Sequence, residues 1–431
     1  MKKIFVLSLI LIVVIYPCAS FALTTFRPSF SVTEDYTDNY NLDEPGKDKE
    51  EDFSTKYSLN LALNSETRTS QIGIIYSPTY VDSHKHDDND SMEHFLNFNS
   101  LFNVTKFTDI NFSNTFTRSR DRALRTGLWE EHDTYSVNLG LNNRFAENSL
   151  RGMNASFSGD SYDSINDDDH KTYDLNLYIS YWFSAKYGYS AGLNSEKTTY
   201  KDDEDKDTYS GNIKFSRKIT KHFDTYIAYN QSYSKEDNET HKIYNPSAGF
   251  DCNISKTSRA SLGVGVLFNK YSDQEDSNDL FVDADIYKLF DFSKRSSLSV
   301  YASSGYEETS EDAASLGFNI YYQGGYNYNY LLTRRLSVYL NGSYKTQDFK
   351  EEISDRKDNT LDLGTGLSWT VLKWMNARIY YSYTKFDTDA KLRDDYEENK
   401  AGITISVYPA ASPRIDIENE GPGLIRQPYE K

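Results

Sequence analysis

The segment from Tyr173 to Phe183 runs Tyr-Asp-Leu-Asn-Leu-Tyr-Ile-Ser-Tyr-Trp-Phe, and it is the stretch that decides the fold. Its odd-numbered residues are apolar or aromatic, and most of its even-numbered residues are polar. A β-strand places successive side chains on opposite faces, so the alternation predicts a strand with one apolar face and one polar face.

Comparable segments recur roughly every 19 residues along the chain, about twenty in all. Further examples are Tyr135 to Leu141, Leu262 to Phe268, Leu361 to Trp369 and Ile403 to Val407. The connections between them alternate between short turns, such as 146–149 and 255–258, and long acidic stretches, such as 163–171 and 388–399. Short periplasmic turns that alternate with long outer loops are typical of a membrane β-barrel.

The sequence therefore predicts an all-β fold, a transmembrane up-and-down antiparallel β-barrel that spans 24–408. We expect about 18 to 20 strands, an even number, and no plug domain. The number stays open because the segments around Thr24 and Met92 are the least regular. Three strand-like segments contain Pro28, Pro78 and Pro246, which we expect near strand ends or bulges because proline removes a ladder hydrogen bond.

The composition suits a barrel better than a soluble domain. The chain has 431 residues, a net charge of -18, 36 Tyr and 24 Phe, and its mean hydropathy is -0.70. No apolar run of about 18 residues follows residue 22, which excludes membrane helices, whereas a barrel strand shows only half of its side chains to lipid. The acidic charge also argues against a nucleic-acid partner.

The first 22 residues have the pattern of a cleaved secretory signal peptide. Lys2 and Lys3 precede the apolar run Ile4 to Ile15, and Ser20 and Ala22 fit a cleavage site after residue 22. Lipidation at Cys18 is the less favoured alternative. Cleavage leaves Cys252 as the single cysteine, which excludes an intramolecular disulfide. At the other end, 409–431 is predicted to be a polar periplasmic tail, either solvated or used for docking a partner.

The polar faces of the strands are predicted to line a water-filled lumen. A barrel of about twenty strands would be on the order of 40 Å across, too wide for side chains to fill. The candidate pore-lining residues are Tyr178, Trp182, Tyr226, Asp283, Asp285, Tyr301, Tyr339, Asp362, Arg378 and Tyr380. Their aromatic rings have two interpretations: surfaces on which sugar units slide, or the interface girdle and lumen filler of any such barrel.

No catalytic, cofactor or metal site is predicted, and we expect the chain not to be an enzyme. Gly188 to Gly192 matches the Gly-x-Ser-x-Gly pattern of serine hydrolases, but it lies inside a strand-like segment rather than at a sharp turn. His132 and His170 lie beside acidic residues, which leaves a rim-located hydrolase as a third hypothesis. The acidic loops around Asp167 and Asp202 are expected to be solvated, with binding of divalent cations as the alternative.

The N-terminal segment Thr33-Glu34-Asp35-Tyr36-Thr37-Asp38-Asn39, followed by Leu42 and an acidic stretch, carries a family resemblance. It resembles the opening of the outer-membrane β-barrel porins associated with exopolysaccharide and PEP-CTERM (exosortase) gene clusters, which have a Tyr-x-Asp-Asn segment after the first strand. The resemblance implies an outer-membrane conduit for secreted polysaccharide that works with periplasmic export partners. It assigns no role to any residue.

The leading functional hypothesis is an outer-membrane channel for polysaccharide or other polar solutes. The main alternative is a structural or adhesive barrel without a transport role. The expected partners are outer-membrane lipid and lipopolysaccharide, the outer-membrane assembly machinery, and periplasmic polysaccharide-export proteins.

Overall fold

The computed structural model describes residues 23–47, 49–122, 129–162, 169–201, 205–236, 239–272, 276–311, 314–349, 356–389 and 395–409. The predicted signal peptide and most of the predicted tail lie outside these residues. The described strands are β1 (Leu23–Thr37), β2 (Asp52–Glu66), β3 (Ser70–Ser83), β4 (Ser91–Thr105), β5 (Thr108–Arg122), β6 (Trp129–Ala146), β7 (Ser149–Tyr162), β8 (His170–Trp182), β9 (Tyr187–Tyr200), β10 (Lys206–Thr220), β11 (Phe223–Glu236), β12 (Glu239–Ser255), β13 (Ser258–Tyr271), β14 (Ser277–Ser293), β15 (Ser296–Glu311), β16 (Ala314–Leu331), β17 (Leu336–Phe349), β18 (Arg356–Leu372), β19 (Met375–Thr388) and β20 (Tyr396–Val407).

The strands form one closed antiparallel barrel. Each strand pairs with the next one along the chain, and β1 pairs with both β2 and β20, so every strand has a partner on both sides. Closure satisfies the backbone groups without water, as a membrane requires. The prediction of an up-and-down barrel is confirmed, and the strand number is twenty, the upper value expected. In the described part of the chain, no helix is long and apolar enough to cross a membrane.

The strands are longer than the sequence analysis predicted. A tilted spanning strand needs about 9–11 residues, but β20 has 12 and β6 and β16 have 18 each. Their ladders continue past the apolar band as polar hairpins. The acidic connections are correspondingly shorter: 388–399 was predicted to be a loop, yet β20 already begins at Tyr396.

The two rims of the barrel differ in their connections. Even-numbered strands pass to the next strand through short turns, such as Lys106-Phe107, Lys256-Thr257 and Lys294-Arg295. Odd-numbered strands are followed by the acidic connections, except β5, whose connection to β6 (123–128) contains no Asp or Glu. β1 begins and β20 ends at the short-turn rim, as an even strand number requires. Membrane barrels keep short turns on the periplasmic side, so the acidic connections lie outside the cell.

The outward face of the wall is an apolar band. Leu193, Ile227 and Leu280 point outward from three different strands, with 64%, 62% and 73% of their surface exposed. Exposed apolar area on this scale, continued round the barrel, is tolerated only against lipid. The alternation quoted from Tyr173 onward is one strip of this band, since Leu175 and Leu177 of β8 are also exposed.

The three prolines lie inside strands and at no shift of register, which corrects the expectation that they would be near strand ends or bulges. Each sits where one neighbouring ladder is missing. Pro28 lies beyond Val407, where the pairing of β1 with β20 stops. The pairing of β3 with β2 skips Pro78, and that of β12 with β13 skips Pro246. A missing N–H therefore leaves no partner unsatisfied on that side.

Residues 37–39 fasten the first outer connection to β20 across the seam of the barrel. The backbone N–H and the side-chain amide of Asn399 each donate to the Asp38 carboxylate at 2.7 Å. The Asn39 side chain is fully buried and donates to the Glu397 and Asp43 carbonyls at 2.9 Å. The Thr37 hydroxyl donates to Glu398 at 2.9 Å. We call Thr37, Asp38 and Asn39 the seam clasp; this segment includes the Asp-Asn of the resemblance motif.

Candidate functional site: the inner wall of the barrel

The candidate site is the inward-facing surface of the wall, because the outward face contacts lipid. All ten residues predicted to line a pore lie on the inward side of their strands, opposite to the exposed apolar residues in the alternation. Those on β8, β11 and β14 are Tyr178, Trp182, Tyr226, Asp283 and Asp285; those on β15, β17, β18 and β19 are Tyr301, Tyr339, Asp362, Arg378 and Tyr380. Most of their inward neighbours are Asn, Ser, Gly and Thr.

One cluster of inner-wall side chains surrounds Arg378 on β19. Its guanidinium donates to the Tyr339 hydroxyl from Nη2 at 2.8 Å and from Nε at 3.2 Å. Its Cζ lies 4.9 Å from the centre of the Tyr339 ring and 5.8 Å from that of Tyr380. An arginine held by a hydroxyl and two aromatic faces is fixed in direction while it keeps its charge.

The same cluster continues across the seam. The Tyr380 hydroxyl donates to the Asp35 carboxylate on β1, and Asp35 pairs with Lys56 on β2 at 3.3 Å. Tyr380 reaches over β20 because Gly402 lies between it and Asp35: a Cβ there would stand 2.7 Å from the Tyr380 ring. Asp35 is not among the residues that were predicted to line the pore. Its pairing with β20 depends on closure, which no local pattern reveals.

A second cluster surrounds Tyr226 on β11. The Lys214 ammonium lies 3.8 Å from the centre of the Tyr226 ring and pairs with Asp251 at 2.7 Å. The Tyr226 ring lies over two glycines, Gly249 and Gly263; a Cβ on either would come within 2.7 Å and 2.5 Å of its hydroxyl. On the neighbouring strands, the predicted lining residue Asp285 pairs with Arg259 at 3.1 Å.

The pairing of a large ring with a glycine recurs around the inner wall. Tyr178 lies against Gly152 and donates to Asn142, and Trp182 lies against Gly188 with the Lys218 ammonium 3.9 Å from its ring. Further inward pairs are Tyr301 with Gly325, Tyr321 with Gly305, and Tyr339 with Gly366. A ring laid over a strand glycine covers backbone that has no side chain of its own. These aromatics therefore stabilise the wall and also present ring surface to the lumen.

Asp362 on β18 is held by two hydroxyls. Thr384 donates to it at 3.0 Å and Ser343 at 3.4 Å. The bonds come from the strands on both sides, so the carboxylate is fixed in the wall. Together with Asp251, Asp283 and Asp285 it contributes negative charge to a surface that also carries Lys214 and Arg378. The inner wall is thus polar and mixed in charge.

Among the described residues, His132 of the hydrolase hypothesis has no relay geometry, and Nε2 of His170 pairs with the Asp160 carboxylate at 3.4 Å. The Ser119 hydroxyl lies 3.4 Å from Nε2 of His132, and the Asp121 carboxylate lies 3.9 Å from the same nitrogen. A nucleophilic relay needs the serine and the carboxylate on different ring nitrogens. Among the described residues, no group of three or more His, Cys, Asp and Glu side chains is placed to hold a metal ion. Ser190 lies within β9, as predicted.

The connection between β1 and β2 packs against other residues of the outer rim. Tyr40 from this connection is stacked between His86 and Trp129, with ring centres 4.3 Å and 4.6 Å away. Asn89 donates to the Tyr40 hydroxyl at 2.7 Å, and burial raises the pKa of Tyr40 above its ordinary value. His86 also pairs with Glu50 at 3.3 Å. This connection is therefore fixed to the rim.

No family model matches the sequence, and no curated protein matches it. Among solved structures, the siderophore receptor PirA from Pseudomonas aeruginosa aligns with a TM-score of 0.50 and 10% identity, covering 88% of this chain and 80% of its own. PirA from Acinetobacter baumannii gives the same score and coverage at 8% identity. OccK5 (OpdH) from Pseudomonas aeruginosa covers 89% of this chain and 98% of its own, but its TM-score of 0.40 is too low to support a conclusion.

The similarity to PirA concerns the fold alone. Together with the closed ladder and the apolar outward band, it agrees with the architecture that the alternation predicts. A closed barrel with this band spans a membrane, and the membrane that holds such barrels in bacteria is the outer one. The chain has the fold of an outer-membrane β-barrel and is located in that membrane.

Proposed function

We propose that the chain forms a water-filled channel for hydrophilic solutes through the outer membrane. The observation that carries this proposal is the polar inner face of a closed twenty-stranded wall. A circumference of that size encloses a space on the order of 40 Å across, wider than opposing side chains fill. Within the described residues, no separate domain occupies the lumen; besides strands there is one short 3-10 turn at Asp87–Asn89.

As the cargo we propose secreted polysaccharide. Sugar units present C–H faces to aromatic rings and hydroxyl groups to amides and carboxylates, and the inner wall offers both kinds of surface at Tyr178, Trp182, Tyr339 and Asp362. The resemblance of the N-terminal segment to porins of exopolysaccharide gene clusters supports the same cargo. Such a role implies periplasmic export proteins at the short-turn rim and lipopolysaccharide around the acidic connections.

The experiment that tests the proposal is osmotic swelling of liposomes that contain the folded chain. We expect neutral sugars and short oligosaccharides to enter at rates that fall with their size, because diffusion through a wet lumen is limited by its width. Liposomes without protein are the control. If even monosaccharides fail to enter, and surface polysaccharide is unchanged in cells that lack the protein, the barrel is structural or adhesive.

Substitution of two tryptophans distinguishes binding of the cargo to the wall from unassisted diffusion through the lumen. Trp182 faces the lumen, whereas Trp369 on β18 faces lipid with 51% of its surface exposed. If aromatic rings guide sugar chains, Trp182→Ala changes the entry of oligosaccharides relative to monosaccharides, and Trp369→Ala does not. Equal behaviour of the two variants would remove the support that the rings give to a polysaccharide cargo.

A further inference from the structure

The barrel wall splits between the outer halves of β14 and β15. The pairing of β14 with β15 ends at Ala284 and Ser304, although β14 extends outward to Ser277 and β15 to Glu311. The outer part of β15 continues to pair with β16, so the two strands leave β14 together as a hairpin.

Ser304 closes the ladder at the point of separation. Its hydroxyl accepts a hydrogen bond from the Ala284 N–H at 3.1 Å and donates one to the Val282 carbonyl at 2.7 Å. The side chain thus replaces backbone pairing that the departing strand no longer provides, and it is buried. Because Ser304 bonds both the Ala284 N–H and the Val282 carbonyl, the split leaves neither of these backbone groups without a hydrogen bond.

The hairpin separates from β14 on the inner side, while β16 stays paired with β17 as far as Asn319 and Phe349. Along β15 and β16, Tyr306 and Ile320 share the alternation of Val300 and Tyr322, whose side chains are exposed outward. Yet Tyr306 and Ile320 pack against Phe281 in an apolar cluster. Phe281 belongs to the inward side of β14, since its neighbour Leu280 points outward. The outward face of the hairpin therefore covers the inward face of the adjacent wall.

The contact is apolar in a region that is otherwise polar. Phe281 and Tyr306 meet edge to face, with ring centres 5.1 Å apart. Leu267 on β13 and Ile243 on β12 complete the cluster; Leu267 has no exposed surface and Phe281 has 3%. We call Ile243, Leu267, Phe281, Tyr306 and Ile320 the hairpin dock. Apolar side chains on an inner wall that faces water remain there only if something covers them, and here the hairpin does.

We propose that the described part of the β15–β16 hairpin that has separated from β14, residues 305–311 and 314–319, is the constriction that sets the size limit of the channel, and that the hairpin dock holds it against the wall. This inference rests on the proposed channel function. The hairpin occupies lumen space beside β12, β13 and β14, so solutes pass between it and the opposite wall. The dock residues thereby determine which solutes are admitted.

Two substitutions release the hairpin in different ways. Phe281→Ala removes the ring that meets Tyr306, and Ile320→Asp places a charge in the apolar cluster. We expect both to raise single-channel conductance by about twofold, because the current follows the open cross-section, and to admit longer oligosaccharides in liposome swelling. Phe386→Ala is the matched control: it removes a buried phenylalanine from the inner wall of β19, away from the hairpin.

A covalent tether provides the reverse experiment. The variant combines Phe281→Cys and Tyr306→Cys with Cys252→Ser, which removes the free thiol of β12. We expect this variant to form a wide channel, and we expect a short bifunctional thiol reagent that joins the two new cysteines to return it to wild-type conductance. Heat-dependent migration in gels shows that each variant has folded. Variants that conduct like Phe386→Ala, or a tether without effect, would overturn the constriction. A folded wild-type chain that never conducts would instead overturn the channel itself.

Discussion

Replacing Asp38 and Asn39 together by alanine is expected to destabilise the folded barrel by several kcal/mol. Asp38 accepts two hydrogen bonds from Asn399. The buried Asn39 amide donates hydrogen bonds to the backbone carbonyls of Glu397 and Asp43. A buried group left without its partner costs about 1–3 kcal/mol, and hydrogen bonds to a charged group are at the upper end. Since these bonds join β1 to β20, their loss weakens the seam on which closure depends.

Urea unfolding in lipid vesicles, followed by tryptophan fluorescence, measures the effect. A double-mutant cycle on Asp38→Ala and Asn399→Ala isolates the bond across the seam, for which we expect a coupling of about 1.5–3 kcal/mol. Asn41→Ala is the matched control, because Asn41 lies in the same connection but makes an exposed bond to Glu50. A coupling near zero would mean that the seam clasp orders the loop without supporting closure.

Leu193→Arg is expected to have an effect of similar size on stability in the bilayer. Leu193 lies near the middle of β9 on the lipid-facing side, with 64% of its surface exposed. An arginine at the bilayer midplane of a barrel costs about 2–4 kcal/mol, falling to about 0–1 kcal/mol near the interfaces. The expected outcome is a lower urea midpoint, or failure to insert into preformed vesicles.

The control for this substitution is Asn212→Arg on the adjacent strand. Asn212 is at a comparable height in β10 but faces the lumen, where water solvates the new charge. We expect this variant to unfold close to the wild-type midpoint. If Leu193→Arg is tolerated as well as Asn212→Arg, the assignment of the inward and outward faces of the wall is wrong.

The fold was predictable because the sequence of each strand alternates between apolar residues on one face and polar residues on the other. In β8, leucine, isoleucine and tyrosine alternate with polar residues, and this alternation is a local property that needs no knowledge of the partner strands. The least regular segments became β1 and β4, where Pro28 and the mixed sequence around Met92 blur the alternation. They decided the strand number, which the sequence left between eighteen and twenty.

The same alternation shows which side chains face the lumen, but not what they contact. Tyr380 and Asp35 are 345 positions apart, and Asp38 and Asn399 are 361 apart, so their bonds exist only once the barrel is closed. The constriction could not be predicted from the alternation either. Tyr306 keeps the alternation of its strand, and it faces Phe281 only because the ladder between β14 and β15 ends at Ser304.

The most direct test of the central claim, an open polar lumen through the membrane, is planar-bilayer recording of the purified, folded chain. We predict discrete current steps with a stable open level, together with a noisier and larger level when Phe281 is replaced by alanine. A chain whose heat-dependent gel migration shows a folded barrel, and which inserts without producing steps above the bare bilayer, would contradict it.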